Sequence, residues 1–178
     1  ELARLAQTLQ KPEKAVEFYL AYARLGSSDL HNQALTNAAV LEEKLMLRSA
    51  AGDHFAELIG RLSGKAKETA HAREASCNNY LLATYKEKSP LLFNKLKNCS
   101  SDLSQGSEGP RWMARKAWAL EQMSLPDDAA EVWQKLGDTK LKTYAGNAEL
   151  KPYIALGRLK KLQGTLERFK QIRFSGTN

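Results

Sequence analysis

Pro126-Asp127-Asp128-Ala129-Ala130-Glu131-Val132-Trp133-Gln134-Lys135-Leu136 reads as the start of a helix with a patterned apolar face. Pro126 suits the first turn, where a missing N–H forfeits no intrahelical bond, and Asp127 sets a carboxylate against the positive end of the helix. Ala129, Trp133 and Leu136 then share one face at i, i+4 and i+7. Three periods of 38, or 114 residues, earlier, Lys11-Pro12-Glu13-Lys14-Ala15 begins the same way, and Ala15, Tyr19 and Tyr22 repeat the spacing. Comparable starts at Ala51-Gly52-Asp53-His54-Phe55, Ser89-Pro90-Leu91-Leu92 and Gly164-Thr165-Leu166-Glu167 keep the register, about 37 to 40 residues apart.

This punctuation predicts short helices over 12–25, 52–63, 90–98, 126–136 and 165–174. Longer partner helices, marked by apolar residues such as Leu35, Ala38, Ala39, Leu41, Leu45 and Met46, are expected at 1–9, 29–49, 66–87, 110–123 and 139–162, the last interrupted near Gly146 or Pro152. The Ser- and Gly-rich segment from Asn98 to Gly109 reads as the one long loop. Alternating Val, Ile and Thr runs flanked by turn pairs are missing, so no strand is expected. A helical pair cannot bury its apolar face alone and must stack on its neighbours. The expected fold is therefore all-α: an α-solenoid of about five antiparallel helix-turn-helix repeats. Its units fall near 1–26, 27–64, 65–101, 109–137 and 138–175, within a single domain spanning 1–178.

Tyr153-x-x-Leu156-Gly157-x-x-Lys160-x-x-x-Gly164 resembles the first helix of a tetratricopeptide repeat, with the aromatic slots substituted. Ala15, Tyr19 and Tyr22, with Ala129, Trp133 and Leu136, resemble that family's second helix. A small residue there lets the two helices touch, and an aromatic one turn later fills the gap to the next hairpin. The second unit reads as degenerate, with Phe55, Ile59 and Leu62 on its stripe; the third keeps only Leu92, Leu96 and Cys99. The resemblance implies a right-handed superhelix whose concave groove, lined chiefly by first helices, binds a partner segment. The family's clamp for C-terminal carboxylates has no matching set of Lys, Asn and Arg here.

The 178 residues carry a formal charge of +7, a bias that would attract nucleic acid, anionic lipid, acidic protein or cell-wall polymer. Cations are densest at the end, where Arg158, Lys160, Lys161, Arg168, Lys170 and Arg173 face the single acid Glu167. A solvated helical face is the plain reading of such a run. No apolar stretch is long enough to cross a bilayer. The first residue is Glu1, which points to a processed chain or a segment of a longer one.

Cys77 and Cys99 lie equally far from the turn near Lys88 and Ser89, so an antiparallel hairpin would set them side by side. They are either bridged or two buried thiols. A bridge implies an oxidising compartment, and an extracytoplasmic site such as a bacterial periplasm is the expectation, with the cytoplasm as the alternative. His31, His54 and His71 have no His or Cys at i+3 or i+4, so no metal site is expected and each reads as a surface or capping residue. Phosphate-binding, nucleophile-elbow and HExxH motifs are missing, and neither a catalytic residue nor a cofactor is assigned. The three tryptophans read first as core; Trp112, at the start of its helix between Arg111 and Arg115, is also a candidate partner contact. The expected function is a non-catalytic protein-interaction scaffold, part of an envelope assembly, with Arg111, Trp112, Arg115, Arg158 and Lys161 as contact residues. A basic nucleic-acid binder and a helical accessory domain of a cell-wall enzyme are the alternatives.

Overall fold

A computed structural model of the chain describes residues 1–62, 64–144 and 148–175, with side chains left out at 141 and 172–175. The described residues form α-helices and two short 3₁₀ helices, without a strand. In chain order the α-helices are α1 (Leu2–Thr8), α2 (Pro12–Ala23), α3 (Asp29–Lys44), α4 (Arg48–Arg61), α5 (Ala66–Lys86), α6 (Pro90–Leu103), α7 (Gly109–Gln122), α8 (Pro126–Asp138) and α9 (Lys151–Ser175); the 3₁₀ helices, Leu141–Tyr144 and Ala148–Leu150, precede α9. Two compact units result, Glu1–Leu92 and Phe93–Asn178. In the first, α1 to α4 each pack on the next helix in the chain; in the second, α7 packs on α8 and both pack on α9. None of the described helices is long and apolar enough to cross a membrane.

The turns joining α1 to α2, α3 to α4 and α7 to α8 are built alike. Gln10, Met46 and Ser124 adopt left-handed backbone with φ of 54°, 61° and 58°. The N–H of the next residue reaches back across the turn, Lys11 to Ala6 O, Leu47 to Glu42 O and Leu125 to Leu120 O, at 2.9 to 3.0 Å. This satisfies carbonyls that the helix end leaves without a partner. Left-handed backbone costs about 1–2 kcal/mol in a residue with a side chain, so three such turns without glycine are held by the packing around them.

That packing obeys one register, counted from the left-handed residue. Seven positions before it stand Ala3, Ala39 and Ala117, and five positions after it stand Ala15, Ala51 and Ala129; all six are buried. Nine positions after it stand Tyr19, Phe55 and Trp133, the aromatic slot. The second hairpin is therefore not degenerate. Its second helix starts at Arg48, four residues before Gly52, and Ala51, Phe55 and Leu58 fill the small, aromatic and large positions. No proline or glycine marks that start, which is why punctuation misplaces it.

Glycine takes over the small-residue role where α8 meets α9. A Cβ placed on Gly157 would lie 2.7 Å from the Gly137 nitrogen, and one on Gly137 would lie 3.0 Å from the Gly157 carbonyl carbon. Gly157 thus marks a close crossing of α9 on α8. Gly52 serves α4 and α5 similarly, since a Cβ there would lie 2.7 Å from the Tyr80 ring.

Two expected boundaries differ. Residues 139–174 do not form a hairpin: Pro152 sits in the first turn of α9, and the helix runs on through Gly164, where a Cβ would meet nothing within 4 Å. Gly146 lies outside the described residues. The Asn98–Gly109 loop shrinks because α6 extends to Leu103. Within α6 Ser101 donates its hydroxyl to the Lys97 carbonyl at 2.8 Å, the i−4 bond open to a serine inside a helix. As for the thiols, neither is free: Cys77 and Cys99 are disulfide-bonded.

The two glycines of α9 should respond oppositely. Gly157→Ala should lower the unfolding free energy by about 1–3 kcal/mol through overpacking, whereas Gly164→Ala should raise it by about 0.5–1 kcal/mol through helix propensity. Urea denaturation reads both, and a loss at Gly164 would mean that the helix breaks there.

Candidate functional site

Two adjoining clefts are centred on α3. Its apolar side, with Ala34, Leu35, Ala38, Ala39 and Leu41, is buried. Its N-terminus is tied down by Ser28, whose N–H donates to His31 Nδ1 at 3.3 Å, while the His31 ring lies 4.8 Å from that of Tyr22. His31 is thus a capping histidine. Helical spacing leaves Asn32, Gln33, Thr36 and Asn37 on a second face. That face is polar and short-chained, so it packs poorly and stays open beside its neighbours.

Two clefts of about 750 Å³ each meet on it. The first, between α1, α2 and α3, is lined by Leu2, Phe18, Tyr22, Leu25 and Leu30 with Gln33 and Asn37 at its edge. The second, between α3 and α5, shares Gln33 and Asn37 and adds Thr36, Lys67, Glu68 and His71 over a floor of Phe55, Leu58 and Leu62. Lys65 closes on Asp29 at 2.5 Å at one end of it. Asn32 is buried there; its Nδ2 donates to the Ser27 carbonyl, and its Oδ1 has no partner among the described residues. The clefts therefore offer apolar sockets on one side and amide groups on the other.

Interior polar contacts hold α3 at this position. Glu42 is buried against His54 of α4, with Oε2 2.7 Å from Nδ1. Glu43 accepts from Asn79 Nδ2 of α5 at 2.6 Å, and Arg48 Nη1 donates to Asn79 Oδ1 at 3.2 Å. Tyr80 donates its hydroxyl to Asp53 at 2.7 Å, and Ser76 donates to the Gly52 carbonyl at 2.9 Å. His54 is thus an internal ion-pair partner and not the surface or capping residue expected from its neighbours in sequence. Nothing local signals this, because its acid lies twelve residues away on another helix.

The predicted contact residues sit in the second unit. Trp112 is only 1% exposed and lies in the interior, with the Arg111 and Arg115 guanidinium groups 5.1 and 4.2 Å from its ring centre. It is a core residue and not an exposed contact, because Gly109 and Pro110 ahead of it are themselves buried and start α7 inside the fold. Arg111 also faces Glu108 at 3.6 Å. Arg158 donates Nε to the Gly137 carbonyl at 3.3 Å, and Lys161 reaches Asp138 at 2.6 Å, so both meet the C-terminal end of α8, where cations are favoured. Lys160 bonds Glu121, which also accepts from Trp133 Nε1 at 2.8 Å. The structure therefore brings Arg111, Trp112 and Arg115 together on α7 and Arg158 and Lys161 together on α9.

Compared with known proteins, the chain matches no family model, no curated protein and no solved structure. Among the described residues no three acidic, histidine or cysteine side chains cluster as a metal site would require.

The Glu42 contact raises the His54 pKa above its ordinary 6.5, chiefly through the hydrogen bond, against the opposing effect of burial; the charges of Glu42, Glu57 and Asp53 add to the rise. A raised folded pKa gives stability that is complete below the unfolded value and is lost as pH climbs through the folded one. Thermal unfolding should accordingly show a midpoint that falls as pH rises above 6.5. His54→Gln should remove this slope, and a variant as pH-dependent as the parent would place the titration elsewhere.

Proposed function

We propose that the chain is a non-catalytic, tetratricopeptide-like scaffold, an α-solenoid that holds a segment of a partner protein against α3. The observation that carries this reading is the pair of clefts sharing Gln33 and Asn37. A carboxamide offers two donors and an acceptor, and so can pair with both the N–H and the C=O of a bound backbone. The exposed side chains of Leu2, Leu25 and Leu30 beside them supply sockets for apolar anchors, a combination typical of sites that orient a ligand with few polar groups on an apolar surface. The shared register of three hairpins supports the repeat assignment. The disulfide supports an oxidising compartment, such as a bacterial periplasm. A nucleic-acid role draws less support, since Lys160, Lys161 and Lys170 each face an acid at 2.6 to 3.0 Å.

Selection of a random peptide display library on the immobilised chain tests the proposal. Enriched peptides should share apolar anchors and should bind the Leu30→Ser, Gln33→Ala, Asn37→Ala triple variant at least tenfold more weakly, about 1.4 kcal/mol. Failure to enrich any peptide, or equal binding to the variant, would rule the α3 clefts out.

A further inference from the structure

A surface on α1 can be read from the register that α1 shares with α3. Counted from the left-handed residues Gln10 and Met46, Leu2, Leu5 and Leu9 of α1 correspond to Ala38, Leu41 and Leu45 of α3. Around them the two helices match: Ala3 and Ala6 are buried as Ala39 and Glu42 are, and Arg4 is exposed as Val40 is. They part at the leucines. Ala38 and Leu41 are buried and Leu45 is partly so, whereas Leu5 and Leu9 are 56 and 58% exposed. Leu2, equally exposed, also borders the first cleft, so Leu5 and Leu9 define a surface of their own.

In α3 these positions are covered by the hairpin before it. Ala38, Leu41 and Leu45 pack in one cluster with Ala6 of α1 and with Ala15, Val16, Tyr19 and Leu20 of α2. A helical repeat buries its apolar side only against a neighbouring unit, and a repeat that closes an array carries a polar outer face instead. α1 keeps leucine at the positions where a closing repeat is polar, so its outer face has the character of an interface between units. The cover that fits is the one α3 already has. A second copy of the chain supplies it poorly, because α2, α4 and α8, the helices that follow the three matching turns, are each already packed against α3, α5 and α9.

We infer that Leu5 and Leu9 of α1 seat a helical hairpin of a partner protein, packed on α1 as the α1–α2 hairpin packs on α3, with its second helix presenting small, β-branched and aromatic side chains in the manner of Ala15, Val16 and Tyr19. This surface goes beyond the α3 clefts and does not depend on them.

The test joins a second copy of residues 1–36 ahead of Glu1 of the full chain, which holds a hairpin of this kind where the partner would place it. Residue 37 is the register equivalent of residue 1, so the added Asp29–Thr36 leads directly into α1 and carries the added α2 to Leu5 and Leu9 as α2 lies on Leu41 and Leu45. Leu5→Ala with Leu9→Ala, made in the original α1, should raise the urea unfolding equilibrium constant at least about tenfold more in the fusion than in the unfused chain, since only there are the leucines buried. Arg4→Ala, on the face that is exposed in both helices, should have the same effect in the two chains. An alanine pair that costs the fusion no more than the unfused chain overturns the proposal. Sedimentation showing a dimer of the unfused chain that the alanine pair abolishes would give the face to a second copy, and binding to phosphatidylglycerol vesicles that the pair abolishes would give it to lipid; either result also overturns it.

Discussion

Two helices approach closely only where one of them lacks a bulky side chain, and that constraint organises the molecule. Ala3, Ala15, Ala39, Ala51, Ala117 and Ala129 supply the vacancy in three hairpins, and Gly137 with Gly157 supplies it between α8 and α9. The space left beside each close approach is then filled by an aromatic ring, Tyr19, Phe55 or Trp133. Tyr19 and Trp133 also donate to Gln7 and Glu121, three residues before the left-handed turn residue, so a polar contact fixes the ring in its slot. Phe55 has no such donor, and the equivalent acid, Glu43, accepts from Asn79 of α5 instead.

The same arrangement positions α3. Small residues draw its apolar side into the core, while Glu42 and Glu43 at its end are held by His54 and Asn79. Breaking a buried ion pair by removing one partner costs more than the pair contributes net, because the other charge is left buried. Its consequence here is geometric, because a fixed α3 presents Gln33 and Asn37 to both clefts at once. Cations act in a related way at helix ends. Arg61 donates to the Ala23 carbonyl at the end of α2 and to the Gly26 carbonyl just beyond it, and Arg158 to Gly137 in the last turn of α8.

Much of this was legible before any coordinates. Pro12, Pro90 and Pro126 mark helix starts because proline tolerates few other places in a helix. The second hairpin was misread by four residues because Met46, Leu47 and Arg48 carry no punctuation; its left-handed turn residue is an exposed methionine where a glycine would have marked the turn. Gly164 misled in the opposite sense, since an exposed glycine inside a 25-residue helix costs too little to end it. The clefts were least legible. Asn32, Gln33 and Asn37 look like ordinary polar helix residues until α1 and α5 stand on either side, and Trp112 looks like a surface anchor until Pro110 is seen to start its helix inside the fold.

The central claim is the shared small-residue register, and substitution at its least obvious member tests it most directly. Ala51→Leu and Ala129→Leu should each lower the unfolding free energy in urea by about 1–3 kcal/mol, while Ala130→Leu, one position along on an exposed face, should change it by less than about 0.5 kcal/mol. If Ala51→Leu is tolerated as well as Ala130→Leu, the second hairpin does not share the register of the other two.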